Sequence, residues 1–235
     1  TMKQDLRKVT GANVSVKITD DFMNAVEADK EFELKFPIDA KKPKYSKNVK
    51  ARELWELIIN SATSTAEPGL MMWDNILNNL PAECYAEDNF KTLTTNPCGE
   101  IPLSAGDSCR LISINLKNFV DKEFTKSARF DFDKFEKIVT SAMRLSDDLV
   151  ELELEKLEKI IEFCDIEDEQ KLWKSLHTAC KNGRRTGLGT HGLADAIACL
   201  GLRYDSKKAI KIIDKIYGTL RNAAYSESVE LAKER

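Results

Sequence analysis

At 235 residues, with 42% apolar and 32% charged side chains and a formal net charge of −3, the chain has the balance of a folded globular protein. No basic stripe is interleaved with aromatics, so nucleic acid is not the expected partner, because phosphate binding draws on clustered Lys and Arg. No apolar run approaches the ~20 residues that cross a bilayer, and Thr1 to Asp5 lacks the apolar core of a signal peptide, so the expectation is a cytoplasmic protein with no membrane partner.

Val14, Val16 and Ile18 alternate with Ser15 and Lys17 as in a half-buried strand. Thr19-Asp20-Asp21 then offers an N-cap and first-turn acids for a short helix through Phe22, Met23 and Val26. Residues 36–47, with two prolines and a run of lysines, read as a surface connection. Val49, Leu54, Leu57, Ile58 and Ala62 mark one face of a second helix. Glu67-Pro68-Gly69 is a turn, Leu70 to Trp73 a short buried strand, and Ile76, Leu77 and Leu80 a helical turn or two that Pro81 ends. Residues 84–116 are the least regular stretch and close on an alternating strand, Ile112 to Leu116.

From Asp131 the pattern is almost entirely helical. Phe135, Ile138, Val139, Ala142, Leu145 and Leu149 form an apolar stripe that Leu154, Leu157, Ile160 and Ile161 extend, and Glu151, Glu153, Glu155, Glu158 and Glu162 read as a solvated face. A helix over 168–182 should stop at Gly183. A short strand at 185–190 follows, then a helix to Leu200 with Gly201 beyond it, and a last helix from a Ser206 cap. Helices separating a few short strands argue for an α/β fold with parallel pairing. Four short strands are few for a complete α/β domain. Both ends also lack natural stop signals, so residues 1–235 are expected to be one part of a longer domain.

The six cysteines (84, 98, 109, 164, 180 and 199) include no CxxC pair, and with His177 and His191 the only histidines no metal site is expected. In Asn96-Pro97-Cys98-Gly99-Glu100-Ile101-Pro102-Leu103 the prolines and glycine fix the backbone, and an amide, a thiol and a carboxylate occupy alternate positions. An extended backbone would turn all three to one side. A second thiol, Cys109, lies eleven residues on. Residue chemistry alone leaves a plainer reading open, in which Cys98 and Cys109 are small buried hydrophobes and Asn96 and Glu100 turn residues.

This loop, together with Ser108-Cys109-Arg110-Leu111 and Ser113-Ile114-Asn115-Leu116, resembles the active-site loop of ribonucleotide reductase large chains. The Pro, the Gly and the short interval between cysteines resemble the adenosylcobalamin-dependent class. The resemblance extends to Gly11 to Val16, Thr19 to Met23, Glu67-Pro68-Gly69 before Trp73-Asp74, Gly183 to Gly189 and Ala223-Ala224-Tyr225. It implies a helix-rich portion of an α/β barrel, with the 96–100 loop pointing inside. Cys98 would be the thiyl-radical carrier that takes the ribose 3′-hydrogen, Glu100 the base for the 3′-hydroxyl proton, and Asn96 the residue that orients them. Cys109 would be one of two reducing thiols. It also implies adenosylcobalamin as cofactor, a ribonucleotide substrate with the diphosphate favoured, an external dithiol such as thioredoxin, and a homodimeric parent enzyme. The family's other reducing cysteine and its phosphate-binding turns have no counterpart in these residues.

Gly187-Leu188-Gly189-Thr190-His191-Gly192 spells the GxGxxG of dinucleotide-binding proteins, with Asp205 eighteen residues after Gly187. The alternative is therefore a nicotinamide- or flavin-binding oxidoreductase, although Lys181 to Arg185 is not the apolar strand that should precede such a turn. A non-catalytic assembly module is the third reading. His177 and His191 read as ordinary helix or loop residues.

Overall fold

The structure, a computed structural model, describes residues 11–235; the segment Thr1 to Asp5 considered above lies outside them. The chain divides into two compact units, the first ending at Ala105 and the second spanning Gly106–Arg235. No helix among the described residues is long and apolar enough to cross a membrane.

In the first unit β1 (Ser15–Ile18) runs into α1 (Asp20–Glu27), whose start is fixed by the Thr19 side chain accepting from the Phe22 amide. Next come β2 (Glu31–Phe36), β3 (Tyr45–Lys50), α2 (Ala51–Thr65), β4 (Gly69–Met72) and α3 (Trp73–Asn79), with a 3₁₀ segment at Pro81–Asp88. The strands β5 (Thr94–Thr95) and β6 (Pro102–Leu103) close the unit. The pair β1–β4 is parallel, with Ser15 opposite Gly69 and Ile18 opposite Met72. Its core gathers Ile18, Phe22, Ala25, Val26 and Ala51, with Phe32 and Trp55 packed edge-on to the Phe22 ring.

Several expectations for this unit need correction. The supposed surface connection at 36–47 is in part an antiparallel ribbon, β2 pairing with β3 from Glu31–Lys50 to Phe36–Tyr45. Val49 therefore lies on a strand rather than on the helix, and Leu57 is 56% exposed. The β4 strand forms where expected but is not buried, since Leu70 and Met72 are exposed.

The second unit opens with β7 (Arg110–Asn115), a 3₁₀ turn at Leu116–Phe119, and the short pair β8 (Val120–Asp121) and β9 (Arg129–Phe130). Then come α4 (Phe132–Phe163), α5 (Glu167–Gly183), β10 (Thr186–His191), α6 (Leu193–Cys199) and α7 (Lys207–Glu234). β7 and β10 pair in parallel, Arg110 opposite Thr186 through Asn115 opposite His191. The Asp131 and Ser206 side chains cap α4 and α7 by accepting from the Lys134 and Ala209 amides.

The 32-residue α4 serves two cores. Its N-terminal half puts Phe135 and Val139 against Ile114, Leu116, Phe119, Phe130, Ile216 and Ala223. Its C-terminal half puts Val150, Leu154 and Leu157 against Cys180 and Trp173 of α5. Ile138, Leu145 and Ile160 are exposed instead of joining the stripe. At 100° per residue they fall to one side of the row through 135, 139, 146 and 150. The acids also divide: Glu155, Glu158 and Glu162 are exposed, whereas Glu151 and Glu153 are half-buried and take up arginines. α5 ends at Gly183 as expected, but the glycine is not the residue that turns the chain. The left-handed residue is Arg184, at φ 40°, a conformation that costs about 1–2 kcal/mol without glycine. Its guanidinium reaches Asp147 at 2.8 Å and Glu151 at 2.6 Å, which holds the residue in that conformation.

The fold is thus α/β, but only two of the five strand pairs among the described residues are parallel, and these residues do not form a closed barrel. Phe135 is fully buried between the Phe119 and Phe130 rings. Phe135→Ala should therefore destabilise the second unit by about 3–5 kcal/mol in urea denaturation followed by circular dichroism. A loss below about 1 kcal/mol would contradict the packing described.

Two surface carboxylates give this unit a pH dependence. A hydrogen bond from Lys117 holds the Glu123 carboxyl below its ordinary value of 4.5, and Arg144 does the same for Glu234. Because the folded values lie below the unfolded ones, the stabilisation is complete above about pH 4.5 and is lost as pH falls through the folded values. Urea midpoints between pH 6 and 3 should decline accordingly, and less steeply in a Glu123→Gln/Glu234→Gln variant.

Candidate active site

In the first unit, residues 96–101 form the loop of the β5–β6 hairpin, in which Thr94 pairs with Leu103 and Thr95 with Pro102. The Gly99 amide donates to the Asn96 carbonyl at 3.0 Å, and the Asn96 amide to the Ile101 carbonyl at 3.1 Å. The turn follows directly from the residue order. Asn stands first, Pro97 presets φ at the second position, and Gly99 supplies φ +89° at the fourth. The loop is therefore a tight turn and not the extended stretch expected from alternate spacing. Cys98 lies at the tip and is exposed, as is Glu100, so Cys98 is not a buried hydrophobe. Asn96 is half-buried, and its side-chain oxygen accepts from the Ile101 amide at 2.9 Å.

The hairpin is anchored from several sides within its unit. Asn13 donates from Nδ2 to the Pro97 carbonyl at 3.0 Å. The Thr95 hydroxyl reaches the Asn96 carbonyl at 2.9 Å and the Met71 sulfur at 3.8 Å. Lys17 donates to the Leu93 carbonyl at 2.5 Å, with its ammonium 3.7 Å from the Trp73 ring centre. Partial burial pulls the pKa of Lys17 down. Side chains of β1 and β4 thus fix the base of the turn and leave its thiol open.

Cys109 belongs to the second unit, one residue before β7, and is half-buried. Arg110 beside it is 8% exposed and its guanidinium is fully engaged. It meets Glu153 of α4 at 2.6 Å and the Cys180 sulfur of α5 at 2.9 Å, and donates to the Ser108 and Arg185 carbonyls at 3.1 and 3.2 Å. Asp107 and Arg185 form a further ion pair across the same turn. Burial pushes the Cys180 thiol pKa up, with Arg110 opposing. No disulfide joins any of the six cysteines.

Alternation along β7 and β10 separates two faces. Arg110, Ile114, Thr186 and Leu188 turn toward the helices: Thr186 reaches Met143 of α4, and Ile114 and Leu188 join the core. The other face carries Leu111, Ser113, Gly187, Gly189 and His191, and by alternation Cys109 just before β7. It is open, with Leu111 65% exposed and Ser113, Gly189 and His191 exposed. On it Ser113 and His191 share a hydrogen bond of 2.9 Å between Oγ and Nδ1. Sequence reading passed over this pair. Ser113 lies opposite Gly189, two residues before His191 on the same face of β10, a proximity legible only once the strand register is known.

The GxGxxG wording does not make a phosphate-binding turn. Gly187 and Gly189 lie inside β10, where a dinucleotide fingerprint needs them between strand and helix. Only Gly192, at φ +71°, caps a helix, and that helix has seven residues. Among the described residues no three His, Cys, Asp or Glu side chains gather as a metal-binding group.

Comparison with known proteins gives one consistent match. The model of the ribonucleotide reductase barrel domain matches residues 2–235. The vitamin B12-dependent ribonucleoside-diphosphate reductase of Thermoplasma acidophilum is 32% identical over 223 residues, covering 95% of this chain and 26% of that protein. The protein of the same name from Mycobacterium tuberculosis is 31% identical over 225 residues, 95% of this chain and 28% of its own length. The large chain of Neurospora crassa ribonucleoside-diphosphate reductase is 32% identical over 213 residues, 87% of this chain and 20% of that one. The chain spans about a quarter of the length of these relatives. With its whole described length matched by one family, the chain belongs to the ribonucleotide reductase barrel-domain family.

Proposed function

We propose that this chain is part of the catalytic barrel of a vitamin B12-dependent ribonucleotide reductase, acting on ribonucleoside diphosphates. The observation that carries the reading is the exposed Cys98 thiol on a braced turn, two residues from the exposed Glu100 carboxylate. The names of the similar proteins support the substrate class and the cofactor. The barrel-domain model covers the residues of each unit, and in such a barrel the helices pack on one face of the strands while the other face points inward. The open face of β7–β10, with glycines and small polar groups opposite the helices, supports that placement for Cys109. A reducing cytoplasm, an external dithiol such as thioredoxin and a homodimeric parent enzyme complete the reading, and six cysteines without a disulfide suit such a compartment.

Each residue has a chemical task. Cys98, as a thiyl radical, takes the hydrogen atom from the ribose 3′-carbon, and Glu100 accepts the 3′-hydroxyl proton. Asn96 holds the turn through Ile101 and so sets the spacing of the thiol and the carboxylate. The 2′-hydroxyl leaves as water while two thiols, one of them Cys109, supply two electrons and two protons and become a disulfide, after which Cys98 returns its hydrogen atom to the 3′-carbon and is again a thiyl radical. Adenosylcobalamin, when bound, would supply the radical chemistry, and the Cys98 thiol is the group of this chain that would give up its hydrogen atom. The residues present fit that group at one point: the thiol stands open at the tip of the turn, where a bulky cofactor can approach it.

In a full-length enzyme carrying this segment, Glu100→Gln should lower turnover by ~10²–10⁴-fold, the usual contribution of a general base. Stability should hardly change, because Glu100 is exposed. Cys98→Ser should stop substrate-dependent radical chemistry outright, since a serine O–H bond is too strong to exchange hydrogen atoms with the ribose. Electron paramagnetic resonance of substrate radicals, with product assays, checks both; normal turnover by Cys98→Ser would sink the reading. The isolated 235-residue chain should show no ribonucleotide reduction with adenosylcobalamin and a dithiol, and measurable turnover by it would refute the division of the site assumed here.

A further inference from the structure

We infer that Gly187 is a positioning residue for the Cys109 thiol, an inference that rests on the reading of Cys109 as a reducing thiol. A Cβ placed on Gly187 would stand 2.6 Å from the Cys109 sulfur, 2.7 Å from Cδ2 of Leu111 and 3.5 Å from the Arg110 carbonyl. The first two separations lie far inside van der Waals contact, so the sulfur occupies the space the missing side chain leaves. Gly187 sits within β10, and its backbone is not in the left-handed region that would favour glycine there. What the position requires is room. Gly189, two residues on and on the same face, gives the contrast: the nearest atom to its added Cβ is the Ile112 carbonyl, at 4.0 Å.

The opposite side of the turn makes that room definite. One guanidinium, Arg110, binds the carbonyls of Ser108 and Arg185 and so ties the residue before Cys109 to the residue before β10. Glu153 holds the guanidinium, and the Asp107–Arg185 pair closes the same two segments together. The notch and the thiol are therefore kept in register, and the thiol is confined to directions that lie over β10. Disulfide formation demands such control, because the S–S bond forms only within a narrow range of distance and dihedral angle. Displacing a reacting atom by about 1 Å can cost on the order of 10²-fold in rate.

The test compares Gly187→Ala, Gly187→Ala/Leu111→Ala and Gly189→Ala. The double variant removes the Leu111 collision, so that only the sulfur is crowded even if the single variant folds poorly. In the 235-residue chain, alkylation by iodoacetamide is followed cysteine by cysteine by mass spectrometry, with Cys98 as internal reference. Both Gly187 variants should change the Cys109 rate severalfold and leave Cys98 unaltered, while Gly189→Ala should match the parent chain. An unchanged Cys109 rate in the double variant overturns the inference. In a full-length enzyme the double variant should lose on the order of 10²-fold in kcat with KM for the ribonucleotide within about twofold. Cys109→Ser is measured beside it. If that substitution abolishes turnover and the Gly187 variants keep it, the positioning role is wrong and the role of Cys109 stands. If Cys109→Ser also keeps turnover, both fall.

Discussion

The buried guanidinium of Arg110 is the interaction on which the second unit depends most. A cation at this depth is tolerated only when its donors are satisfied and a carboxylate balances its charge. Glu153 supplies the carboxylate, and Ser108, Arg185 and Cys180 take up further donors. These partners come from α4, from α5 and from the lead-in segments of both parallel strands. One side chain therefore links the strand pair to two helices at the end where Cys109 sits. Arginine suits the place because its planar fork offers five donors in fixed directions, which a lysine could not reproduce.

A second layer of charge extends the same arrangement along α4. Asp147, nearly buried, receives Arg184 and Arg235, while Glu151 is shared by both arginines. Arg144 bridges Glu227 and Glu234 of α7. The helix that carries the apolar core thus also carries, on its flank, the anions that fix where α5 ends and where α7 lies. Pairs that leave at least one partner partly in solvent, as these do, add little individually and are weakened by salt. Their contribution here is geometric, since they determine the exit of α5 through a left-handed Arg184 and so the start of β10.

The two cysteine-bearing segments are built on a common plan with different means. Both place a thiol on an irregular segment beside a parallel strand pair, where a rigid scaffold supports an accessible group. Cys98 is held by backbone chemistry: an Asn-Pro-Cys-Gly turn that closes on itself and is tied down by Asn13, Thr95 and Lys17. Cys109 is held by side-chain chemistry, between a guanidinium clamp and a missing Cβ. The first thiol is exposed and the second half-buried.

Much of this was written in local sequence, because local rules decide it. The Thr19, Asp131 and Ser206 caps, the long α4 and the turn residues at 96–99 act within a few positions of themselves and need no distant partner. The family resemblance, carried by the 96–103 loop and its flanks, was legible for the same reason, since it is a property of consecutive residues. What the sequence could not decide depended on which segments meet. The β2–β3 ribbon was read as a connection because lysines and prolines obscure a pairing set by cross-strand partners. Glu153 looked like one more solvated acid until Arg110, 43 residues away, was placed beside it. Gly187 looked like a phosphate-loop glycine until its neighbour across the strands proved to be a thiol. Local sequence fixes caps, turns and periodicity through interactions between near neighbours in the chain, whereas charge partners and the space a glycine leaves are set by residues that only the tertiary fold brings together.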